Sequence, residues 1–216
     1  MTFASRQDAG SRLGHHLHDR GVKADAVVGL PRGGVVVAAE VALIFQCSLN
    51  VLVVRKIGHP GHREFAVGAL AEHGVMILDD DAIGSDPRVR AELEEVIREE
   101  SERLREYQHK FHRGAQPEFD GKSVLLVDDG LATGSTTEAA ALSVRKMGAQ
   151  KIIIAAPVAS AHAVERVGRL ADDVMALLVD PDFDAVGCYY KNFPQTSTEE
   201  VLELLEAVNS ARSICK

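Results

Sequence analysis

Residues 124–137 read Val-Leu-Leu-Val-Asp-Asp-Gly-Leu-Ala-Thr-Gly-Ser-Thr-Thr, and this stretch decides the fold. Its four apolar residues, 124–127, predict a strand that is buried on both faces, as in a parallel sheet. Asp128 and Asp129 close the strand, and a short loop of small residues leads into a helix predicted over 135–147. Unpaired backbone N–H groups and the macrodipole at the start of such a helix favour the binding of a phosphate.

The side chains of this stretch suit a sugar phosphate. Hydroxyl donors follow the acidic pair at Thr133, Ser135, Thr136 and Thr137. The two carboxylates precede them, where they can accept hydrogen bonds from sugar hydroxyls. A Walker A loop would need a lysine after its last glycine, and a dinucleotide fingerprint would need a different glycine spacing. A strand that ends in a solvated acidic turn is the remaining structural alternative.

Residues 124–137 resemble the signature for 5-phosphoribosyl 1-pyrophosphate (PRPP) of the type I phosphoribosyltransferases. That signature is a hydrophobic strand, two acidic residues and a loop of the form Ala-Thr-Gly-Ser/Thr-Thr, and the match is unbroken. The resemblance implies that Asp128 and Asp129 are catalytic, and that Mg²⁺ is held mainly by substrate with these carboxylates as candidate ligands. It implies a 5-phosphate site at Ala132, Thr133, Gly134, Ser135 and Thr136.

A second motif follows the first predicted strand, where residues 29–34 read Gly-Leu-Pro-Arg-Gly-Gly. Gly33 and Gly34 permit positive φ and close backbone approach, and Arg32 adds a permanent charge. The segment resembles the pyrophosphate loop of the same family, which assigns that role to Pro31, Arg32, Gly33 and Gly34. A strand-to-helix turn with glycines for packing is the alternative.

A third motif begins with two cations, Arg55 and Lys56, at the end of the second predicted strand. A Gly-, Pro- and His-containing stretch follows over residues 57–64. The resemblance places here the mobile loop that closes over PRPP, with Arg55 and Lys56 catalytic and with loop residues His59, His62 and Arg63. An exposed hairpin with solvated charges is the alternative, and nothing around His59 and His62 favours a metal site.

Residues 182–190 contain three aromatic residues, Phe183, Tyr189 and Tyr190, in a chain that is poor in aromatics. They resemble the hood that covers the acceptor, so that Phe183, Tyr189 or Tyr190 would stack on a ring; packing of this small subdomain is the alternative. In members of the family that use 6-oxopurines, a lysine just after the strand that follows the signature helix holds the exocyclic oxygen. Residues 157–162 contain none, which argues against hypoxanthine and guanine unless Lys191 substitutes.

Alternating apolar strands and amphipathic helices predict an α/β fold: a parallel sheet flanked by helices, as in the type I phosphoribosyltransferases. We expect one domain over 1–216, with a charged helical insertion over about 86–113 and a hood over about 180–197. The insertion could pack on the sheet or on a second subunit of a homodimer. His109 and His112 on it are interpreted as surface residues. The other predicted helices cover 5–20, 35–45 and 198–208, and the other strands cover 26–30, 51–54, 65–71, 152–156 and 174–179.

The composition narrows the class of protein. The net charge of −8 over 216 residues argues against a general nucleic-acid binder. The first 17 residues lack the apolar core of a signal peptide, and no segment is long enough to cross a membrane. Cys47, Cys188 and Cys215 are scattered and odd in number, which is typical of reduced thiols in a cytoplasmic protein.

The resemblance implies a transferase of nucleotide metabolism that moves 5-phosphoribosyl from PRPP to an acceptor, with Mg²⁺ and release of pyrophosphate. The expected partners are PRPP and a small-molecule acceptor, with a heterocyclic ring nitrogen as the expected nucleophile. A regulatory protein that binds PRPP or nucleotides on the same fold is the alternative. A phosphohydrolase with Asp128 as nucleophile is a third hypothesis.

Overall fold

The computed structural model describes residues 2–113 and 116–214; Cys215 lies outside them. Within these ranges, no helix is both long and apolar enough to cross a membrane. The helices are α1 (Arg6–Asp19), α2 (Gly33–Phe45), α3 (Asp80–Ile83), α4 (Pro87–His112), α5 (Ser135–Lys146), α6 (Ala161–Val167) and α7 (Thr198–Ile214). The strands are β1 (Ala26–Gly29), β2 (Ser48–Val51), β3 (Val54–His59), β4 (His62–Ala71), β5 (Val75–Leu78), β6 (Ser123–Val127), β7 (Lys151–Ser160) and β8 (Asp173–Asp180).

The main sheet is parallel, with strand order β2-β1-β6-β7-β8. Successive residues of β6 point into two separate cores, because side chains alternate along a strand. Leu125 and Val127 pack with α1, α2 and α7, whereas Val124 and Leu126 pack with α5 and α6. The predicted α/β class, a parallel sheet flanked by helices, is confirmed.

A second, antiparallel sheet has strand order β3-β4-β5, and it corrects the prediction for residues 51–54. These residues are not one strand: β2 ends at Val51 in the main sheet, and β3 starts at Val54 in the other. Val53 lies between them, and its N–H donates to the buried carboxylate of Glu72 at 2.7 Å. The predicted strand over 65–71 belongs to this sheet as part of β4, and β5 was not predicted.

The charged helix α4 packs on the antiparallel sheet, so that its sparse apolar side chains are buried within the chain. Leu93, Val96, Leu104 and Phe111 join the core that also contains Ile57 of β3. His112 is buried beside Glu72, which corrects its interpretation as a surface residue. The helix thereby braces the strand that carries the Arg55-Lys56 pair.

Candidate active site

A pocket of about 240 Å³ opens at the carboxyl ends of β1 and β6, where ligands bind in parallel sheets of this kind. Residues 128–134 form its floor, together with Thr136 and Thr137 at the start of α5. Leu30 and Pro31 line it after β1, and Val54 and Lys56 line it from β3. Val186 lines it from the segment after β8. Three motifs that are far apart in the chain therefore meet at one cavity.

Asp128 and Asp129 lie at the pocket floor, directly after the last residue of β6. Burial and the neighbouring Asp129 charge raise the pKa of Asp128 well above its usual range, against the opposing charges of Lys56 and Arg6. Burial also raises the pKa of Asp129, and the hydrogen bond from Arg6 opposes that rise. A carboxylate pair held in this way favours the approach of a cation or of hydroxyl donors.

The loop after the acidic pair presents a helix N-terminus to the pocket. Gly134 has φ +75° and caps α5, whose first-turn N–H groups have no carbonyl of their own helix to bond. The Thr137 hydroxyl is buried and, among the described residues, has no hydrogen-bond partner. Ala132, Thr133, Gly134 and Thr136 line the cavity, whereas Ser135 does not. The backbone and the hydroxyls together can hold an anion.

The same loop is bonded to the end of β7, a contact that was not predicted. The Ser160 hydroxyl donates to the Ala132 carbonyl at 2.6 Å, and the Leu131 N–H donates to the Val158 carbonyl at 2.9 Å. β7 runs through Pro157 to Ser160, although the predicted strand stopped at residue 156. Pro157 has no N–H to pair, but β7 continues past it to Ser160.

Gly33 and Gly34 are needed in the loop between β1 and α2 because the acidic pair packs against them. A Cβ on Gly33 would lie 2.1 Å from the Asp129 Oδ2 atom, and a Cβ on Gly34 would lie 2.6 Å from the Asp128 Oδ1 atom. Both residues begin α2, and the positive φ that the sequence suggested is not used. Pro31 lines the pocket, its peptide bond to Arg32 is cis, and Arg32 is exposed at the start of α2.

The structure separates the two cations of the third motif. Lys56 lines the pocket, whereas Arg55 points to the opposite face of β3 and donates to the Glu100 carboxylate of α4 at 2.8 Å. Neighbouring residues of a strand face opposite sides, so only one of the two can reach the cavity. Lys56 is therefore the cation of this pair that the structure brings to the acidic residues.

The predicted mobile loop is the hairpin between β3 and β4. The start of β4, residues 62–66, is exposed. Within the hairpin, the Gly61 N–H donates to the His59 Nδ1 atom at 3.1 Å. Arg63 donates to Glu99 of α4 at 3.2 Å, and neither His59 nor His62 lines the pocket. The architecture is thus the hairpin of the alternative interpretation, and its closure over a ligand stays a prediction.

The hood aromatics pack mainly on one another. The Tyr189 ring stacks on Phe183 with centroids 5.2 Å apart, and its hydroxyl donates to the Asp180 carboxylate at 2.7 Å. The Tyr190 hydroxyl donates to the Asp129 carbonyl at 2.6 Å, and its ring contacts that of Phe3. Both tyrosines are buried. The hood residue that lines the pocket is instead Val186, which lies so close to Gly130 that a Cβ there would overlap it.

Arg6 belongs to this site and was not predicted. Its Nε atom donates to the Asp129 carboxylate at 2.7 Å, and its Nη1 atom donates to the Pro194 carbonyl at 2.7 Å. One signal in the sequence could have found it: Arg6 follows the N-cap Ser5 in the first turn of α1, where the macrodipole disfavours a cation. The partner that offsets this small cost is the second residue of the acidic pair, Asp129.

The donor set fits a divalent cation such as Mg²⁺, which prefers oxygen ligands and keeps several from substrate and water. The Asp128 and Asp129 carboxylates supply such oxygens. Across residues 2–113 and 116–214, no group of three or more His, Cys, Asp or Glu side chains is arranged to hold a metal ion. An ion at this pocket would therefore need most of its ligands from a bound substrate.

Comparison with known proteins agrees with this geometry. The family model of the phosphoribosyl transferase domain matches residues 8–191. A Mycobacterium tuberculosis protein named "Putative phosphoribosyl transferase" is 42% identical over 205 residues, which are 94% of this chain and 46% of that protein. This chain thus spans about half the length of the curated relatives it matches.

Solved structures of other proteins have a similar fold. The protein TT1426 from Thermus thermophilus is 41% identical, with a TM-score of 0.78 over 95% of this chain and 98% of that one. A hypothetical protein from Neisseria gonorrhoeae, crystallised with bound ppGpp, has a TM-score of 0.52 at 14% identity, over 96% of this chain and 98% of its own. The latter likeness concerns the fold alone.

Proposed function

We propose a reaction for this chain, which belongs to the family of phosphoribosyl transferase domains. In this reaction the protein transfers 5-phosphoribosyl from PRPP to a ring nitrogen of a heterocyclic acceptor and releases pyrophosphate. The observation that carries the proposal is the pocket itself. It brings together the acidic pair, the helix N-terminus at Gly134, the pyrophosphate loop at Pro31 and the cation Lys56. Each of these matches one charged or polar part of PRPP.

In the proposed reaction, the bond between C1 of the ribose and the pyrophosphate oxygen breaks, and its electron pair leaves with pyrophosphate. The acceptor nitrogen forms the new bond to C1 with inversion and loses its proton to solvent. Asp128 and Asp129 orient the ribose hydroxyls and stabilise the positive charge that develops at C1. The loop over 132–136 holds the 5-phosphate, and Lys56 faces the departing charge.

The two carboxylates and the substrate oxygens would hold Mg²⁺, which would neutralise the pyrophosphate leaving group when bound. The position of Asp128 beside Asp129 on the pocket floor supports this assignment, because two adjacent carboxylates attract a cation. Lys56 and Arg6 supply the opposing charges in the chain itself. The remaining task of the protein is to exclude water from C1, which we assign to the hairpin over 57–64.

The acceptor would enter beside Val186 and Leu131, which form an apolar wall next to the acidic pair. An apolar wall beside a charged floor suits a flat heterocycle better than an aliphatic amine. The hood tyrosines, Tyr189 and Tyr190, are buried and hydrogen-bonded, and they pack in one cluster with Val186. Their rings would contact the acceptor only after a rearrangement of the hood.

Pyrophosphate release from PRPP and Mg²⁺, measured across a panel of heterocyclic bases, amines and small acids, tests the proposal. Acceptor-dependent release is expected from the wild-type chain and should be absent from the Asp128→Asn variant. Binding of PRPP without turnover on any acceptor would instead identify a regulatory protein. Release of phosphate from other phosphate esters, without PRPP, would identify a phosphohydrolase.

A further inference from the structure

The guanidinium of Arg6 joins the acidic pair to the segment that follows the hood. It donates from Nε to the Asp129 carboxylate and from Nη1 to the Pro194 carbonyl, each at 2.7 Å. The Phe193 ring covers it, with the guanidinium carbon 3.7 Å from the ring centroid. The Arg6 side chain is only 9% exposed. One side chain near the amino end thus contacts a carboxylate of the pocket and two residues near the carboxyl end.

Backbone hydrogen bonds reinforce this junction. The Phe3 N–H donates to the Tyr189 carbonyl, and the Lys191 N–H donates to the Phe3 carbonyl, both at 2.8 Å. The Tyr190 hydroxyl donates to the Asp129 carbonyl at 2.6 Å. Asp129 is therefore held through its backbone by the hood and through its carboxylate by Arg6.

The contact also reaches the pyrophosphate loop. A Cβ on Gly33 would lie 2.1 Å from the Asp129 Oδ2 atom and 2.7 Å from the Arg6 Nε atom. The carboxylate oxygen that accepts from Arg6 is thus pressed against the backbone of that loop. The family model matches residues 8–191, so Arg6, Phe193 and Pro194 all lie outside the matched range, at its two ends.

We propose that Arg6 is a positioning residue for PRPP, which rests on the proposed function. It fixes the Asp129 carboxylate against the pyrophosphate loop and ties that carboxylate to the hood through Phe193 and Pro194. The two members of the acidic pair then have different roles. Asp129 is held by Arg6, whereas Asp128, which Lys56 faces, is the carboxylate that meets the substrate and its cation first.

Fold stability alone is a weak reason for this pair. The attraction within a buried ion pair often fails to offset the free energy lost when both charges leave water. Well-packed apolar residues of similar volume often stabilise a fold equally well. An arginine does offer a planar fork that can hold a carboxylate and a carbonyl while it stacks on a ring, which a lysine cannot reproduce. The structure uses all three of these contacts at one residue.

A double-mutant cycle tests the inference. PRPP affinity is measured by calorimetric titration with Mg²⁺, and kcat/KM for PRPP by pyrophosphate release, in Arg6→Gln, Asp129→Asn and the double variant. Arg6→Gln should weaken both quantities at least about tenfold. In the Asp129→Asn background the same change should have almost no further effect, because residues that act through one contact are not additive.

Arg12→Gln is the matched control. Arg12 lies on the same helix, 3.8 Å from the Asp8 carboxylate, and its guanidinium lies 4.9 Å from the Phe3 ring centroid. It contacts no part of the pocket, so its PRPP affinity should equal that of the wild type. If Arg6→Gln fails to fold, Arg6→Lys keeps a cation and carries the same cycle, with a smaller expected loss.

Two results would overturn the inference alone: unchanged PRPP affinity in a folded Arg6 variant, or an equal loss with and without Asp129. An Arg6 variant that only lowers the melting temperature would show a purely structural role, with the same consequence. A wild-type chain that neither binds nor consumes PRPP would overturn the proposed function itself, and this inference with it.

Discussion

The imidazole Nε2 atom of His112 lies 2.9 Å from both carboxylate oxygens of Glu72, and both side chains are buried. Glu72 also accepts from the Val53 N–H, and its own N–H donates to the Val53 carbonyl at 3.3 Å. These bonds fasten the end of α4 to the point where the chain leaves the main sheet for β3. The position of Lys56, three residues further on, depends on this anchor.

Glu72→Ala should lower the free energy of unfolding by roughly 1–3 kcal/mol for each buried group that it leaves without a partner, the His112 imidazole and the Val53 N–H. Urea denaturation measures the change. Glu206→Gln is the control, since Glu206 pairs with Arg113 in an exposed ion pair and should cost at most about 1 kcal/mol. Similar losses in both variants would show that the buried pair is not an anchor.

Asp128→Asn should fold like the wild type and lose at least about a hundredfold in turnover, since each charge-assisted hydrogen bond contributes roughly 1.5–3 kcal/mol. Pyrophosphate release and thermal unfolding are measured together, with Glu92→Gln on the exposed face of α4 as the control. Near-normal turnover would remove Asp128 from the site.

The variant that replaces both Asp128 and Asp129 by asparagine is a poorer test than the single variant at Asp128. In the structure Asp129 pairs with the buried Arg6, so the double change leaves a cation without its carboxylate and destabilises the fold. The single variant at Asp128 separates turnover from stability.

Gly134→Val should abolish PRPP binding by disturbing the backbone of the loop at the start of α5. A Cβ at Gly134 would meet Val167 and Ala163 of α6 at 3.1 and 3.4 Å, and φ is +75°. The backbone strain costs about 1–3 kcal/mol, and its relief would shift the loop that starts α5.

Gly121→Val is the matched control for this variant, because Gly121 has φ +68° and open space around its Cβ position. It should lose similar stability and keep its PRPP affinity in calorimetric titration. Equal PRPP affinities in the wild type and the Gly134 variant would mean that the phosphate binds elsewhere.

The hairpin over 57–64 should be cleaved by trypsin after Arg63 and protected by PRPP with Mg²⁺. The exposed start of β4 is held to α4 by one exposed ion pair, which contributes little. Cleavage after Arg20, which follows α1 on the surface, serves as the internal reference. Equal rates at Arg63 with and without ligand would argue against a closing cover.

Hypoxanthine and guanine should be poor acceptors, because no lysine follows β7 to hold their exocyclic oxygen. An unsatisfied carbonyl in a closed site costs roughly 1–3 kcal/mol. Lys191 is exposed, does not line the pocket and holds Phe3 through its backbone, so it does not replace that donor here. Nucleotide formation from each base measures the difference. Rates typical of a dedicated 6-oxopurine enzyme would refute the prediction.

Contiguous segments were predictable where one local pattern is enough. The apolar run of β6, its acidic pair and the small-residue loop occupy consecutive positions, and the structure places them as a strand, a pocket floor and a helix start. The same holds for α1, α2, α5 and for β1 and β8 of the main sheet, whereas β2 was misplaced and β7 extends beyond its predicted end. Which core each residue of β6 enters follows from the alternation of side chains along a strand.

Long-range contacts decided the rest. Arg55 and Lys56 are adjacent in sequence, but their side chains lie on opposite faces of β3. Arg55 pairs with Glu100 of α4, whereas Lys56 lines the pocket. Arg6 reaches Asp129 across 123 residues of chain, and Glu72 reaches His112 across 40. The spacing of apolar residues along one helix or strand shows which of its faces is apolar. The burial of a charged side chain depends on a partner that only the folded chain brings into contact with it.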